Sequence, residues 1–298
     1  MRVFVTGATG FIGTAVVREL LDAGHQVLGL ARSDASAAAL TATGAEVHRG
    51  TLGDLDGLRA GAASADGVIH AAFIHDFTDF EHSVAVDLRA VETLARTLAG
   101  TDRPFVISSG TPALPGGTAT EDTVPAAGTP AAARLAAEEA VLASADRGVR
   151  GSVLRLPRSV HGEGDHHGFV PRLIGIARER GVSAYPGDGA NAWPAVHRLD
   201  AALLYRLALE HAPAGSRLHA VGDEGIPVRQ IAERIGEHLN LPVTSVPVEQ
   251  AAEHFGWLGP IFAMDAPASS AVTQKVTDWR PARPGLLADL DAGHYFTR

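Results

Sequence analysis

The first thirteen residues of the chain, MRVFVTGATGFIG, constrain its fold more than any other stretch. The run from Val3 to Val5 is apolar without alternation, which is typical of a strand buried on both faces of a parallel sheet. Gly7, Gly10 and Gly13 follow at the spacing G-x-x-G-x-x-G, and the apolar residues then recur at the period of a helix. A strand, a glycine turn and a helix in this order predict a doubly wound α/β fold with a parallel sheet.

The same stretch predicts a binding site for a dinucleotide. Glycines let the backbone approach a pyrophosphate closely, and the start of the helix offers free N–H groups and the positive end of the helix dipole. The predicted contacts come from six residues of the turn: Gly7, Thr9, Gly10, Phe11, Ile12 and Gly13. The alternative is a tight strand-to-helix turn that binds no ligand.

The end of the second predicted strand indicates which dinucleotide binds. Residues 25–30 form this strand, and Ala31, Arg32 and Ser33 follow it. Sites that prefer NAD place a carboxylate here to hold the ribose 2′-hydroxyl, whereas a guanidinium and a hydroxyl suit a 2′-phosphate. We therefore predict NADP(H), held by Arg32 and Ser33. Two alternatives stay open, because Asp34 is close enough to turn inward and an arginine at a strand end is often merely solvated.

The later strands also end in residues that suit a ligand. A fourth strand over residues 68–72 ends in small residues, and a fifth over residues 105–109 ends in hydroxyls. Open α/β sheets bind their ligands at the carboxyl ends of the strands. At these two strand ends the predicted cofactor contacts are Ala71, Ala72, Phe73 and Ser108. Asp54 and Leu55, at the start of a short predicted helix, are also predicted to contact the cofactor.

Composition excludes several other classes of protein. The net charge is −9 and no basic run is present, which argues against nucleic acid as a partner. The chain has no cysteine, so it has neither disulfides nor a thiolate site. No apolar stretch approaches the length of a membrane span, and a core strand stands where a signal peptide would begin, so we expect a cytoplasmic protein that does not bind membranes.

The chain resembles a short-chain dehydrogenase/reductase of the extended or atypical kind, in the branch that includes epimerases and dehydratases. The resemblance covers nearly the whole length and is carried by these segments: TGATGFIG at 6–13, GDL at 53–55, VIHAA at 68–72, SS at 108–109, LRLP at 154–157, VHG at 160–162 and WPAVHRLD at 193–200. It implies a Rossmann domain and a smaller C-terminal α/β substrate domain. The expected boundaries are residues 1–157 with about 193–222 for the first, and a lid at 158–192 with residues 223–298 for the second.

The resemblance also implies a Tyr-x-x-x-Lys pair on the helix after the fifth strand, and this chain lacks that pair. Its one lysine is Lys275, and alignment on the family pattern puts Pro130 in place of the tyrosine and Arg134 in place of the lysine. A guanidinium can donate to the ribose hydroxyls, but it does not release a proton near pH 7. In this respect the chain is similar to atypical ketoreductases that modify aromatic polyketides, such as the one in simocyclinone biosynthesis.

Loss of the pair slows a reductase without forbidding the reaction, because general acid help is worth about 10²–10⁴-fold and hydride transfer itself needs only positioning. Three proton sources stay open. These are a histidine, a water bound by a strand-end serine, or a phenol of the substrate beside its ketone. The candidate catalytic residues are Ser108, Ser109, His161 and His166, and the expected role of His197 is to satisfy backbone groups at the start of a helix.

A polar, glycine-rich segment over residues 162–168 follows the sixth predicted strand at 151–156. We expect backbone groups of Leu156 and Val160 to contact the nicotinamide, and the polar segment to form a flexible lid. The lid holds two acids and two histidines without a common metal spacing, so we predict no metal. The predicted substrate contacts are Phe73, Thr111, His161, His167, Phe169 and Trp193, the last of which could instead pack under the lid.

These features together predict an NADPH-dependent ketoreductase that acts on a bulky, apolar ketone of the aromatic polyketide kind. Two rivals stay open: a dinucleotide sensor without catalysis, and an epimerase or dehydratase that retains NAD. We expect a monomer or a homodimer, the latter through helices over residues 80–98 and 130–144.

Overall fold

The computed structural model describes residues 1–76 and 79–297. The strands in chain order are β1 Arg2–Thr6, β2 Gln26–Ala31, β3 Glu46–Arg49, β4 Gly67–His70, β5 Pro104–Gly110, β6 Arg150–Leu156, β7 Ser159–His161, β8 Ser183–Pro186, β9 Ala192–His197, β10 Ser216–His219, β11 Asp223–Pro227 and β12 Val243–Val246. The α-helices are α1 Phe11–Asp22, α2 Asp34–Thr43, α3 Leu55–Ala63, α4 Phe80–Leu98, α5 Pro130–Ala133, α6 Leu135–Leu142, α7 Phe169–Arg180, α8 Arg198–His211, α9 Val228–Leu239, α10 Ala251–Phe255, α11 Gly259–Phe262, α12 Ala271–Thr277 and α13 Leu286–Asp291.

Seven strands form one parallel sheet in the order β3-β2-β1-β4-β5-β6-β10. The strand order reverses between β1 and β4, which is the place where open α/β sheets bind ligands outside the carboxyl ends of their strands. This arrangement confirms the predicted Rossmann fold with its parallel sheet.

The sheet is covered by helices on both faces. Val3 and Val5 belong to the core under α1 and α8, whereas Phe4 belongs to the core on the opposite face, under α3, α4 and α6. All three side chains are completely buried. Burial on both faces is the reason that β1 is an unbroken apolar run.

A second core lies in the C-terminal half of the chain. A three-stranded sheet in the order β11-β9-β7 and the strand pair β12-β8 surround it, together with α7, α9, α10, α11 and α13. Trp193, Phe262 and Leu286 fill its centre and are at most 1% exposed. Residues 198–219, which contain α8 and β10, return to the large sheet, while β9 pairs with β7 and β11. The domain boundaries themselves stay a prediction.

The predicted helix over residues 80–98 is confirmed to the residue as α4, and the helical apolar period over residues 228–239 likewise corresponds to α9. The aromatic and apolar residues over 250–262 also predict a single helix, and this prediction is wrong, because Gly256 has φ +62° and ends α10 there. The helix expected over residues 130–144 is broken at Arg134 into α5 and α6. Short strands such as β7 and β8 carry too few residues for a periodic signal. In the described part of the chain, no helix is long and apolar enough to cross a membrane.

Candidate active site

In the turn between β1 and α1, close packing requires glycine at two of the three glycine positions. Gly7 has φ +69°, and a Cβ added there would lie 2.7 Å from the backbone nitrogen of Ala72. A Cβ on Gly13 would lie 1.9 Å from the carbonyl oxygen of Gly7. The first position needs glycine for its left-handed conformation, and both need it because α1 and β4 approach the turn closely.

The packing of the turn does not require glycine at the third position, Gly10. Its backbone is extended, with φ −77° and ψ 173°, and the only atom within 4 Å of an added Cβ is the Gly7 carbonyl oxygen at 3.3 Å. Gly10 is exposed and precedes a helix that has no side-chain cap and no acidic residue in its first turn. By contrast, Ser33, Asp54 and Asp79 cap the next three helices. The start of α1 therefore fits a dinucleotide pyrophosphate, which needs open N–H groups and a close backbone approach.

Arg198 also lies beside this turn, although it was not predicted as a contact. Its guanidinium carbon is 5.0 Å from the centre of the Phe11 ring, and its Nη1 would be 3.5 Å from a Cβ on Gly164. Arg198 is the first residue of α8, directly after His197. The signal that could have identified it is its place in the WPAVHRLD segment, where it brings a cation close to Phe11 at the start of α1.

The end of β2 carries the residues expected to select the dinucleotide. Arg32 is exposed, and the Ser33 hydroxyl accepts the backbone N–H of Ser36 at 3.2 Å as part of a capping box. Asp34 forms an ion pair with Arg49, whose position pairs with Ala31 across β2 and β3. The adjacent ends of β2 and β3 thus present Arg32 and Arg49, and the Asp34 carboxylate is engaged by Arg49.

Asp54 and Leu55 lie at the start of α3, as expected, and Asp54 caps that helix by accepting the backbone N–H of Gly57 at 2.9 Å. At the end of β4, Ala71, Ala72 and Phe73 are half-buried beside the glycine turn. Ala71 and Ala72 are small, and their backbone lies against Gly7 at the point where the strand order reverses.

A buried hydrogen-bonded chain links this crevice to α4. The Ala72 N–H donates to the Thr6 hydroxyl at 3.3 Å, and that hydroxyl contacts His70 Nδ1 at 2.9 Å. His70 Nε2 lies 3.2 Å from Asp87 Oδ1, so Nε2 carries the ring proton and donates it to the carboxylate. Burial opposes ionisation of Asp87, but the hydrogen bond from His70 and the charge of Arg134 hold the pKa of Asp87 below its ordinary value.

Arg134 completes this chain at the carboxyl end of β5. Its Nη2 donates to Asp87 Oδ2 at 3.0 Å and to the Ser108 carbonyl at 2.8 Å, and its guanidinium carbon lies 4.3 Å from the centre of the Phe73 ring. Its Nε is buried and makes no hydrogen bond within the described residues. A fixed, ionised guanidinium with unused donors therefore occupies the place where the family resemblance implies a ribose-binding cation.

The two strand-end serines point to opposite faces of the sheet. Ser108 Oγ lies 2.6 Å from the Tyr205 hydroxyl and donates to the His70 carbonyl at 3.2 Å. Burial raises the pKa of Tyr205 to about 12, so this phenol is a donor to Ser108 and keeps its proton. The Ser109 hydroxyl is buried and makes no hydrogen bond to any described residue. Ser109 is therefore the serine with a free hydroxyl for a ligand or a water.

Among the candidate histidines, His161 is completely buried, and its Nδ1 lies 2.8 Å from Asp289 Oδ2. His166 and His167 are exposed, and their ring centres are 6.4 Å apart with perpendicular planes. His197 Nδ1 accepts the backbone N–H of Leu199 at 3.2 Å, which confirms its expected role as a helix cap. Within the described residues, no group of three or more acids and histidines converges as metal ligands would.

The lid is more firmly held than the sequence suggests. Asp165 Oδ1 accepts the backbone N–H of Gly168 at 2.8 Å, and the Tyr295 hydroxyl accepts the backbone N–H of Gly162 at 3.1 Å. Tyr295 follows α13, so the C-terminal segment holds the lid to the second core. The expectation of a freely flexible lid is corrected accordingly, because a local turn at Asp165 and one long-range hydrogen bond, from Gly162 to Tyr295, fix its backbone.

The expected substrate contact Trp193 and the expected nicotinamide contacts Leu156 and Val160 lie in different surroundings. Trp193 is completely buried between Phe169 and Phe262, with ring centres 5.8 and 5.0 Å away, so it packs under the lid and has no surface for a substrate. Leu156 and Val160 are half-buried against the core beneath α1 and α8. The Thr111 N–H donates to the Leu156 carbonyl at 2.9 Å, which brings the loop after β5 to the end of β6.

The fold and the turn together define a dinucleotide-binding protein of the Rossmann type. A sequence profile of the NAD dependent epimerase/dehydratase family matches residues 3–221. The chain belongs to this family, is an oxidoreductase of its superfamily, and shares with it the use of a nicotinamide dinucleotide.

Individual relatives agree with this assignment. A Schizosaccharomyces pombe protein of uncharacterised function is 49% identical over 296 residues, which cover 99% of this chain and 100% of the relative. The 2-alkyl-3-oxoalkanoate reductase of Stenotrophomonas maltophilia is 31% identical over 253 residues, 79% of this chain and 74% of that enzyme. Two more distant relatives are also named as reductases. A double mutant of a dTDP-glucose 4,6-dehydratase from Streptomyces venezuelae has the same fold, with a TM-score of 0.81, 19% identity, and coverage of 100% of this chain and 98% of the other.

Proposed function

We propose that the protein is an NADPH-dependent ketoreductase that works without the Tyr-x-x-x-Lys pair. The observation that carries the proposal is the open helix start at Gly10, with Arg32 and Arg49 at the ends of the next two strands. Where NAD-preferring sites place a carboxylate on the ribose 2′-hydroxyl, these guanidinium groups suit a 2′-phosphate. The distant relatives named as reductases support reduction over epimerisation.

The dinucleotide, when bound, supplies the hydride. In this proposal Gly10 and the N–H groups of α1 bind the pyrophosphate, and Arg198 neutralises part of its charge. Arg134 holds the nicotinamide ribose through donors that Asp87 leaves free. Leu156 and Val160 position the nicotinamide through their backbone groups.

Proton delivery to the reduced carbonyl falls to a group other than a tyrosine. Tyr205 is held by Ser108, and His161 is sealed from solvent beside Asp289, so neither is a donor in this proposal. The Ser109 hydroxyl is unused, and it would hold a water that protonates the oxygen. The lid histidine His166 and a phenol of the substrate are the two other sources.

The proposed substrate is a bulky, apolar ketone, and an aromatic polyketide-like ketone fits this class. Apolar side chains stand on the segments that follow the strand ends: Phe73 is half-buried, Ile74 is 36% exposed and Leu114 is 38% exposed. The protein would work in the cytoplasm as a monomer or a homodimer, as the sequence predicts.

The test is NADPH oxidation followed by absorbance against a panel of ketones, with NADH in parallel. Arg32→Ala should raise the KM for NADPH by about 10–100-fold, since each charge-assisted hydrogen bond is worth about 1.5–3 kcal/mol, and should leave the KM for NADH unchanged. Arg18→Ala, an exposed arginine on α1, is the matched control. Tight NADPH binding without oxidation of any ketone would favour a sensor, and a retained NAD in the purified protein would favour an epimerase or dehydratase.

A further inference from the structure

Arg158 is a partly buried arginine that forms no ion pair with any described residue. It lies between the end of β6 at Leu156 and the start of β7 at Ser159. Its Nε is buried and makes no hydrogen bond to the described residues, and its Nη2 donates to the Met264 sulfur at 2.9 Å. Burial lowers the pKa of Arg158, and no carboxylate of the described residues offsets that effect. A thioether is a weak, neutral acceptor, so no described residue gives this cation a strong acceptor.

The other arginines near this edge of the sheet are paired. Arg155 is 1% exposed and donates to Glu138 through Nε and Nη2, with distances of 2.6–3.2 Å. Arg134 donates to Asp87. A partly buried charge without a partner costs stability, and an anion from outside the chain would offset that cost. Arg158 departs from the pattern of its own neighbours, and this departure points to a ligand.

The position of Arg158 indicates which ligand that is. The carbonyl of Leu156, two residues before it, accepts the N–H of Thr111, and Val160, two residues after it, packs with the core beneath the glycine turn. Met264 comes from the segment after α11 in the second core. Arg158 thus lies at the carboxyl edge of the large sheet, between the nucleotide-binding unit and the C-terminal unit, where the ketone would bind.

The geometry points to Arg158 as the receptor for a carboxylate of the substrate, so that the ketone reduced is an oxo acid. This inference rests on the proposed function, because it names the class of ketone. A guanidinium fork matches a planar carboxylate through two parallel hydrogen bonds, and one cation balances one negative charge. The same fork also binds a phosphate monoester, which is therefore included in the test.

The first experiment measures binding without turnover. The probes are 4-phenylbutyrate, its methyl ester and phenethyl phosphate, titrated by calorimetry into the protein saturated with NADP⁺. We expect wild-type protein to bind the acid at least tenfold more tightly than the ester, and Arg158→Gln to weaken the acid by about 10–100-fold without changing the ester. Arg229→Gln, which removes an exposed arginine paired with Glu233 on α9, is the matched control and should bind all three as wild type does.

The second experiment measures the thermal stability of the protein without any ligand. Arg158→Met replaces an uncompensated cation with an apolar chain beside Met264, and we expect it to raise the melting temperature of the ligand-free protein by about 2–4 °C. An arginine with a purely structural role would give the opposite sign. Equal binding of acid and ester by wild type, tighter binding of the phosphate, or a lower melting temperature of Arg158→Met would each overturn the carboxylate assignment.

The two proposals fail in distinguishable ways. If the protein oxidises NADPH with neutral ketones but not preferentially with 4-oxo-4-phenylbutanoate, the ketoreductase stands and the carboxylate receptor is refuted. If no ketone is reduced but Arg158→Gln abolishes acid binding, the receptor stands and the ketoreductase is refuted.

Discussion

The glycine turn gives a prediction in which two similar substitutions have opposite consequences. In Gly13→Ala the new methyl would lie 1.9 Å from the Gly7 carbonyl oxygen and 3.1 Å from the Ala8 Cα. Both contacts are with backbone, so α1 must move away from β1. Overpacking of a buried position costs about 1–3 kcal/mol or more, and this overlap is severe, so we expect a loss of at least about 3 kcal/mol of unfolding free energy.

In Gly10→Ala the new methyl meets only the Gly7 carbonyl oxygen, at 3.3 Å, and the backbone conformation suits any residue. Alanine is a poorer helix N-cap than glycine by up to about 1 kcal/mol, whereas removal of a glycine from the unfolded chain stabilises by about 0.4–1 kcal/mol. These effects offset each other, so stability should change by less than about 1 kcal/mol. The methyl would nevertheless occupy the space that the pyrophosphate needs, and NADPH affinity should fall by about tenfold or more.

Urea denaturation and calorimetric titration with NADPH measure the two effects separately. The expected result is a folded, weakly binding Gly10→Ala and a strongly destabilised Gly13→Ala. If Gly10→Ala binds NADPH as tightly as wild type, no phosphate approaches the backbone at that position. If Gly13→Ala unfolds at the wild-type urea concentration, the close contact between α1 and the turn is refuted.

Three further predictions concern buried charges. Arg155→Met should cost about 3–5 kcal/mol, because it removes the hydrogen-bonded partner of the buried Glu138 and leaves it the more distant Arg217, 3.8 Å away. Arg155→Met/Glu138→Leu should recover most of that loss in urea denaturation. Burial lowers the pKa of His219 from 6.5 to about 4, so the imidazole of the unfolded chain is protonated at a higher pH than that of the folded protein. The free energy of unfolding should therefore fall by about 2–4 kcal/mol as pH drops from about 6.5 to 4. His219→Asn should make the free energy of unfolding depend less on pH in this range. The pKa of Asp87 is lowered from 3.8 in the folded protein, so the ionised carboxylate stabilises the fold fully above pH 3.8. This stabilisation is lost as pH falls through the pKa of the folded state. Asp87→Asn should be less stable than wild type at neutral pH, and the two proteins should become equally stable in acid.

Local patterns made the first half of the chain predictable. β1, α1 and α4 follow from hydrophobic periodicity and glycine spacing, since both their packing and their boundaries are set by nearby residues. The role of His197 as a helix cap was also predictable, because it stands directly before a run with helical period.

The parts that were not predictable depend on contacts between distant residues. The anchoring of the lid joins Gly162 to Tyr295 across 133 positions, and no local pattern encodes that distance. Trp193 looked like a substrate contact because an aromatic residue beside a lid suits either role, and only the packing of Phe262 against it decides for the core. The sequence could not single out Arg158, because the lack of an ion-pair partner can be recognised only when every neighbour of a side chain is known.

The central claim is that the protein transfers a hydride from NADPH to a ketone without a tyrosine acid. The most direct measurement uses NADPH deuterated at the nicotinamide C4, with mass spectrometry of the product from 4-oxo-4-phenylbutanoate and from its neutral methyl ester. We expect one deuterium on the new alcohol carbon, transferred from one face of the nicotinamide, in protein that contains Arg134 and no Tyr-x-x-x-Lys. Saturable NADPH binding with no deuterium in any product would contradict it.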